Sequence, residues 1–501
     1  MTSFYRLLPL SLIFIYIGSA LLAQDFQSEI ESIMDENNLV GLAVGVRCGD
    51  SELATFYGGH ANISNSLDMD ENTLFRVASI SKSFTALGLL KLYDQGLMQL
   101  DDDISEALGY EVRNPSFPDT PISYRMLLSH QSSLQDGSGY SPFLSATYSA
   151  SPIPAIHEVL LEEGEFYTSN MWRTEEPGTY FAYSNINYGL IGTLIEALSG
   201  ERFDEYMKSE ILQPLGISGS YNVAELENIE NLAVLYRDNV PQADNYGGEN
   251  PDPIITGIYA PGTNGSIFAP QGGLRCSLND LLNFASMIYN NGSFNGTEII
   301  SEESLEEMMS IQWDYDGTNG DNYFGLFNRW GLGLHHSGAD GVNDRVVSGE
   351  VLLGHPGEAY GLISDLYVHP ETGYTIAFIT NGYSSGGGYT FGEESIYYLP
   401  EEETFALAEE FFWETCASLD VKELSSSDRC ENIGYNEVNG SFEFDEDFRG
   451  KHLEILTTDG RVIQETWLTG SDVRLDLNPG INIIRISGET SICTRKLFVH
   501  P

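Results

Sequence analysis

Phe75-Arg76-Val77-Ala78-Ser79-Ile80-Ser81-Lys82-Ser83-Phe84-Thr85-Ala86 runs from an apolar lead-in, through a serine, into a helical pattern. Ile80, Phe84, Leu87 and Leu90 recur at helix spacing behind Ser79. A helix start gathers unpaired backbone N–H groups and the positive end of the helix dipole. Lys82, three residues on, falls on the same helix face as the Ser79 hydroxyl. A serine hydroxyl is a weak nucleophile until a base takes its proton. A lysine can be that base only if burial or crowding brings its pKa towards neutrality. Ser-x-x-Lys alone also describes an ordinary solvated helix start, so its meaning depends on the rest of the chain.

The bulk properties narrow the field. Among 501 residues, 23 are Lys or Arg and 74 are Asp or Glu, a formal charge of −51. Such a surface repels nucleic acid and anionic membrane, which excludes both as partners. The acidity is spread along the chain and the hydrophobic fraction is 42%, as in a folded protein with a heavily solvated surface. Arg6, the apolar run Leu7 to Ile17, and the small residues Gly18, Ser19, Ala20 and Ala23 have the layout of a secretory signal peptide over 1–23. The run is short for a membrane span. The expected product is a secreted or cell-surface protein without a stable membrane span. Five cysteines are present, of which Cys416 and Cys430 could pair, and no Cys-x-x-Cys spacing points to zinc or redox chemistry.

The elements then read in order. Phe26, Ile30, Ile33 and Met34 predict a short amphipathic helix, and Leu39 to Val46 a buried strand with Glu52 to Gly58 as its hairpin partner. The Ser79 helix is expected to continue towards Leu100. Ser129-His130-Gln131-Ser132-Ser133 reads as a helix end, with His130 bonded to loop backbone. Ile186 to Leu198 form a helix face stopping at Gly200. Ser218 to Pro270 reads as long loops, and Gln271-Gly272-Gly273 precedes a helix at Leu281 to Tyr289. Strand signals from Trp330 to Thr380 predict an antiparallel meander, followed by a helix from Glu402 to about Leu419. Strands at both ends make one mixed α/β domain over 24–420. A linker over 421–434 and a small β-sandwich over 435–501 complete the expected organisation.

Two further motifs bear on chemistry. Tyr183 and Asn185 stand at i and i+2, so an extended backbone points both side chains the same way. A tyrosine beside a cationic lysine has its pKa lowered, so a Tyr183–Lys82 pair could share the Ser79 proton. Asn185 can donate to a substrate carbonyl and fix the Lys82 amine. In His355-Pro356-Gly357, the glycine permits close backbone approach and the proline suits a strand edge facing a cleft. The amides of Ser79 and Glu358 could form an oxyanion hole.

Ser79-x-x-Lys82, Tyr183-Ser184-Asn185 and His355-x-Gly357, in this order, resemble the serine β-lactamase-like and penicillin-recognising superfamily, in particular its class C-like branch of esterases, D-aminopeptidases and D-Ala-D-Ala carboxypeptidases. The resemblance covers roughly Phe26 to Leu419. It implies a central antiparallel sheet flanked by helices, an inserted helical region, and an acyl-enzyme at Ser79 with Lys82 and Tyr183 as the base system. It also implies substrate contacts at Asn185, His355, Gly357 and Glu358, and no metal or other cofactor. Enzymes of this kind that act on β-lactams usually carry lysine where His355 stands. Histidine is mostly neutral at pH 7, which favours esters or amides, D-amino-acid peptides among them. The alternative on the same fold is a penicillin-binding or sensor protein that acylates at Ser79 without turnover.

The last segment resembles the sorting domain of the type IX secretion pathway of Bacteroidetes, through Leu453 to Val462, Leu477 to Ile486 and Lys496 to Val499. That implies export machinery as a partner. Two decoys remain. Gly382-Tyr383-Ser384-Ser385-Gly386 matches the Gly-x-Ser-x-Gly elbow, but Gly387 and Gly388 follow where that elbow needs a helix. Asp314 to Asp321 hints at calcium but fails the EF-hand spacing, and reads as a solvated acidic loop.

Overall fold

A computed structural model describes residues 24–419, apart from 256, 258, 339–342 and 385–387, and the backbone of strand segments between 434 and 499. The expected signal peptide, Cys430, the linker and the end of the Gly-x-Ser-x-Gly match at Ser385 and Gly386 lie outside the described residues.

The amphipathic helix α1 (24–36) leads into β1 (Gly41–Cys48), buried except at Arg47. A strand with both faces covered needs a continuous apolar run rather than alternation, and Gly-Leu-Ala-Val-Gly-Val supplies it. β1 turns at Gly49 (φ 58°) into β2 (Ser51–Asn62), longer than the hairpin partner read from sequence. The short β3 (Leu67–Asp68) follows. Helices α2 (Ser81–Asp94), α3 (Asn185–Ser199) and α4 (Leu278–Tyr289) lie in the long insertion after it. The chain then returns as β4 (Trp313–Asp314), β5 (Arg329–Trp330), β6 (His335–Ser337), β7 (Leu352–Ala359), β8 (Leu362–Val368) and β9 (Tyr374–Thr380), ending in α5 (Leu399–Ala408).

All neighbouring strands pair antiparallel in one nine-stranded sheet of order β4-β5-β6-β7-β8-β9-β1-β2-β3. Leu42 opposite Thr380 zips the first strand to the last, so the domain is closed by its two ends as expected. Helix α4 covers one face: a Cβ on Gly45 would stand 2.8 Å from Leu282, which is why a glycine interrupts the apolar strand there. Ser277 and Asp280 form a capping box that starts α4. Phe56 and Gly58 face the other way, towards Met34 of α1, whose Phe26 meets Phe412 edge-on at 5.0 Å. Helix α2 is buried nearly all round, including Ser81, Lys82 and Ser83, and packs on α3 and on α4 through Phe84 and Phe284, 4.4 Å apart. It ends at Asp94 rather than Leu100, stopped by Gly96 at φ 71°. The expected loops from Ser218 to Pro270 hold short 3-10 turns and one small ladder, Leu235–Arg237 with Val240–Ala243.

The chain divides into two compact units, Met1–Trp413 and Glu414–Pro501. In the second, Gly434–Asn436, Ser441–Glu443 and Asp472–Arg474 form one antiparallel sheet; His452–Leu456, Val462–Trp467, Gly480–Ser487 and Ile492–Val499 form another. The expected strands are there in chain order. Among the described residues, no helix is long and apolar enough to cross a membrane.

Candidate active site

Ser79 sits in a 3-10 turn, Ala78–Ile80, one turn ahead of α2. Ala78 before it takes a left-handed φ of 45°, a conformation that costs an L-residue about 1 kcal/mol or more and persists only where surroundings enforce it. They do so here. Ser81 Oγ donates to the Ala78 carbonyl at 2.6 Å, Val77 N donates to Leu274 O at 3.0 Å, and Ser364 Oγ donates to Val77 O at 3.1 Å.

Gly357 of β7 completes the clamp. A Cβ there would stand 2.8 Å from Val77 O, 3.1 Å from Ser79 N and 2.5 Å from Ser364 Oγ. Only glycine lets this strand lie directly on the Ser79 turn. Because β6 pairs only with Leu352 to Gly354, Pro356 is not asked to donate to a ladder on that side.

Lys82 is 0% exposed, and its ammonium donates three bonds: to Ser79 Oγ at 3.0 Å, Asn185 Oδ1 at 2.9 Å and the Gln271 carbonyl at 2.7 Å. Three donors meet three acceptors. Burial drives the pKa down to about 7, against the weaker opposing pull of Asp136. Near neutral pH a large share of Lys82 is therefore a free amine, able to take a proton from the serine it touches.

Tyr183 also reaches Ser79 through a side-chain hydrogen bond. Here the structure corrects the expected phenolate. Burial pushes the Tyr183 hydroxyl well above its ordinary value, outweighing the opposing bond from Ser79. Lys82 Nζ stands over the ring face, 5.0 Å from its centre, where the charge meets the π-system rather than the oxygen. Tyr183 is a neutral O–H donor.

Asn185 is the first residue of α3. Asp136, which the sequence reading did not single out, organises it. One Asp136 carboxylate oxygen accepts from Asn185 N at 2.9 Å and Asn185 Nδ2 at 2.8 Å; the other accepts from Ile186 N at 2.9 Å. The carboxylate caps the positive end of α3 and fixes the amide so that its oxygen faces Lys82. Gln271 was missed for another reason: it acts through its main-chain carbonyl, which leaves no trace in residue type.

The expectation that His355 contacts substrate is corrected. Its ring is 1% exposed, lying behind Tyr183 at 6.0 Å and against Trp330 at 5.3 Å, with Nδ1 at 2.5 Å from its neighbour's carbonyl. Burial, then the nearby Lys82, holds it well below its ordinary pKa, so it is neutral. His130 is structural, as expected: Nδ1 accepts from Ser184 N at 3.2 Å. In the acidic loop, Asp316 accepts from Thr318 N and Asn319 N and Asp314 pairs with Arg329, so both carboxylates are occupied. Among the described residues no cluster could hold a metal ion.

Ser79, Tyr183 and Asn185 open onto a cavity of about 820 Å³ walled by Tyr323, Phe324 and Phe327, with Glu358 and Glu401 on the strand side. Tyr398 donates to Glu358 at 3.3 Å, and burial raises the Glu401 carboxyl to about 7.

The family model described as Beta-lactamase matches residues 26–395. The chain belongs to the β-lactamase family. This β-lactamase-family chain is 23% identical over 365 residues to Penicillin-binding protein 4 of Amycolatopsis lactamdurans, covering 71% of this chain and 84% of the relative. It is 25% identical over 239 residues to the D-alanyl-D-alanine-carboxypeptidase/endopeptidase AmpH of Escherichia coli (strain K12), 46% of this chain. Of that and another curated relative the chain spans 59% and 40% of the length. A solved D-amino acid amidase from Ochrobactrum anthropi SV3, bound to D-phenylalanine, superposes with a TM-score of 0.56 at 24% identity, over 78% of this chain and 99% of that one. At that identity the likeness concerns the fold.

Proposed function

We propose that the protein is an exported serine hydrolase that cleaves an ester or amide through an acyl-enzyme at Ser79. The observation behind this is Lys82 Nζ at 3.0 Å from Ser79 Oγ with a pKa near 7. Neutral Lys82 takes the hydroxyl proton as Oγ attacks the carbonyl. The Ser79 and Glu358 amides hold the oxyanion that forms. The leaving group departs with a proton donated by Tyr183 O–H, which Lys82 restores. Water then attacks the acyl carbon and gives a proton to Lys82, which passes it to Ser79 Oγ as the acyl C–O bond breaks, releasing the acid and restoring the free serine and neutral lysine.

The cavity also bears on substrate. Its wall holds Glu358 and Glu401, the second raised by burial to about 7, and no lysine or arginine among its described lining residues; His355, buried behind Tyr183, is neutral and supplies no charge. A carboxylate-bearing β-lactam would find no fixed cation there, whereas a free amine would find acidic and aromatic partners. Amine-bearing amides, esters or short peptides are the favoured substrates. Export rests on the signal-like 1–23 segment and on the type IX-like C-terminal segment.

The test is labelling with a fluorophosphonate, wild type beside Ser79→Ala, in competition with ester, D-amino-acid amide and β-lactam panels. Label on wild type alone, blocked best by amine-bearing amides or esters, is expected. Stoichiometric acylation without turnover of any panel would instead support the penicillin-binding or sensor reading.

A further inference from the structure

A second cavity, of about 900 Å³, lies elsewhere in the first unit and is not lined by Ser79, Tyr183 or Asn185. Its two cationic residues come from a two-stranded ladder in which Arg76 lies directly opposite Arg275. Like charges in directly opposed positions repel. Arg275 is compensated: it donates to Asp244 through Nη2 at 2.8 Å and Nε at 3.3 Å, and to Gly273 O through Nη1 at 2.8 Å. Asp244 is thereby engaged on both oxygens.

Arg76 is not compensated in the same way. Its Nε donates to Gly272 O at 2.9 Å and its guanidinium stands 5.0 Å over the Tyr360 ring, but among the described residues it forms no ion pair. Two guanidinium groups thus share one carboxylate, in a chain whose formal charge is −51. Asp252 also lines the cavity, but it is exposed and, among the described residues, ion-pairs with neither arginine. Burial, and then Arg275, press the Arg76 pKa downwards, and the opposing pull of the shared Asp244 does not offset them. Around it, Tyr148, Tyr246 and Tyr360 are each partly exposed, while Ile153, Ile254 and Phe268 make apolar wall.

A single surplus cation calls for a single negative charge, and a planar guanidinium fork suits a carboxylate. The apolar wall calls for a hydrocarbon body. We propose that this cavity binds an organic monocarboxylate with an apolar tail, its carboxylate on Arg76 and its tail along the isoleucine and phenylalanine wall. Arg76 is three residues before Ser79, and Gly272 follows the residue whose carbonyl holds Lys82. The site is therefore joined to the catalytic turn by the backbone on both sides.

The test measures binding to the full-length Ser79→Ala protein, which makes it independent of hydrolysis. Hexanoate and N-acetylphenylalanine are titrated beside hexanamide and N-acetylphenylalaninamide. The acids are expected to bind at least about tenfold more tightly than the amides, the difference of one charge-assisted contact. Arg76→Gln should abolish that preference. Because Arg76→Gln could unfold the ladder, Ala150→Trp, which fills the exposed mouth from a lining position, should also weaken both acids while leaving fluorophosphonate labelling of the otherwise wild-type chain unchanged. Binding must also survive in wild-type protein already blocked at Ser79. Equal binding of acids and amides, loss of binding on blocking Ser79, unaltered binding in Ala150→Trp, or inorganic phosphate binding as tightly as the acids would each overturn the proposal.

Discussion

Replacing Asp136 by Asn separates the charge of that residue from its shape. In the wild type its carboxylate accepts from Asn185 N, Asn185 Nδ2 and Ile186 N. Asparagine keeps one accepting oxygen and loses the charge at the α3 N-terminus, a loss of about 1 kcal/mol of capping and dipole stabilisation. The same change frees the Asn185 amide to rotate away from Lys82. The plateau rate is expected to fall about tenfold, equivalent to about 1.4 kcal/mol of transition-state stabilisation. The pH dependence moves separately. Two hydrogen bonds in series, 2.8 Å and 2.9 Å, connect the carboxylate through Asn185 to the ammonium. Adding the width of the amide places the charges no more than about 8 Å apart, worth about 0.5 to 2 kcal/mol at an effective dielectric between about 80 and 20. Asp136 favours the charged lysine, so its removal lowers the Lys82 pKa from about 7, by roughly half to one and a half units. The assay is kcat/KM for an activated ester between about pH 5 and 9, with circular dichroism to check folding. The acid limb should move down while the plateau drops. A limb that stays in place, or moves up, would refute the assignment of that limb to Lys82 under the influence of Asp136.

Further outcomes follow from the same geometry. Gly357→Ala pushes a methyl into Val77 O and Ser364 Oγ, and should cost about 1–3 kcal/mol in urea unfolding and abolish Ser79 labelling by displacing β7. Lys82 titrates lower in the folded chain than unfolded, so between about 7 and 10.5 the unfolded state binds more protons. Its burial penalty is therefore full at and below pH 7 and is relieved as pH rises through that window, by up to about 5 kcal/mol. Lys82→Met should remove this rise, as read from urea midpoints at pH 7 and 9. Glu358→Gln should reduce the preference for amine-bearing over N-acetylated substrates by about three- to tenfold in kcat/KM, the range of a partly screened charge pair.

The fold was legible because its central strands announce themselves. Leu39 to Val46 is a continuous apolar run and Tyr374 to Thr380 carries one at Ile376 to Ile379, and they became the adjacent strands β1 and β9. Ser79, Lys82, Tyr183 and Asn185 were readable as ordered motifs, and the structure brings them together. Asp136 was hidden because it caps a helix 49 residues away, where local patterns of capping residues do not reach. The Tyr183 ionisation was misjudged because spacing gives proximity to Lys82 but not whether the charge meets ring or oxygen. His355 was misplaced for a similar reason: alternation along β7 gives its face, but the rings of Tyr183 and Trp330 that cover it come from distant segments.

Intact-mass measurement of the quenched enzyme during turnover of a slowly deacylating ester tests the central claim most directly. The account predicts one acyl group per chain, mapped to the peptide bearing Ser79, with both adduct and hydrolysis lost in a folded Ser79→Ala protein. An adduct on another residue, or hydrolysis that persists in Ser79→Ala, would contradict it.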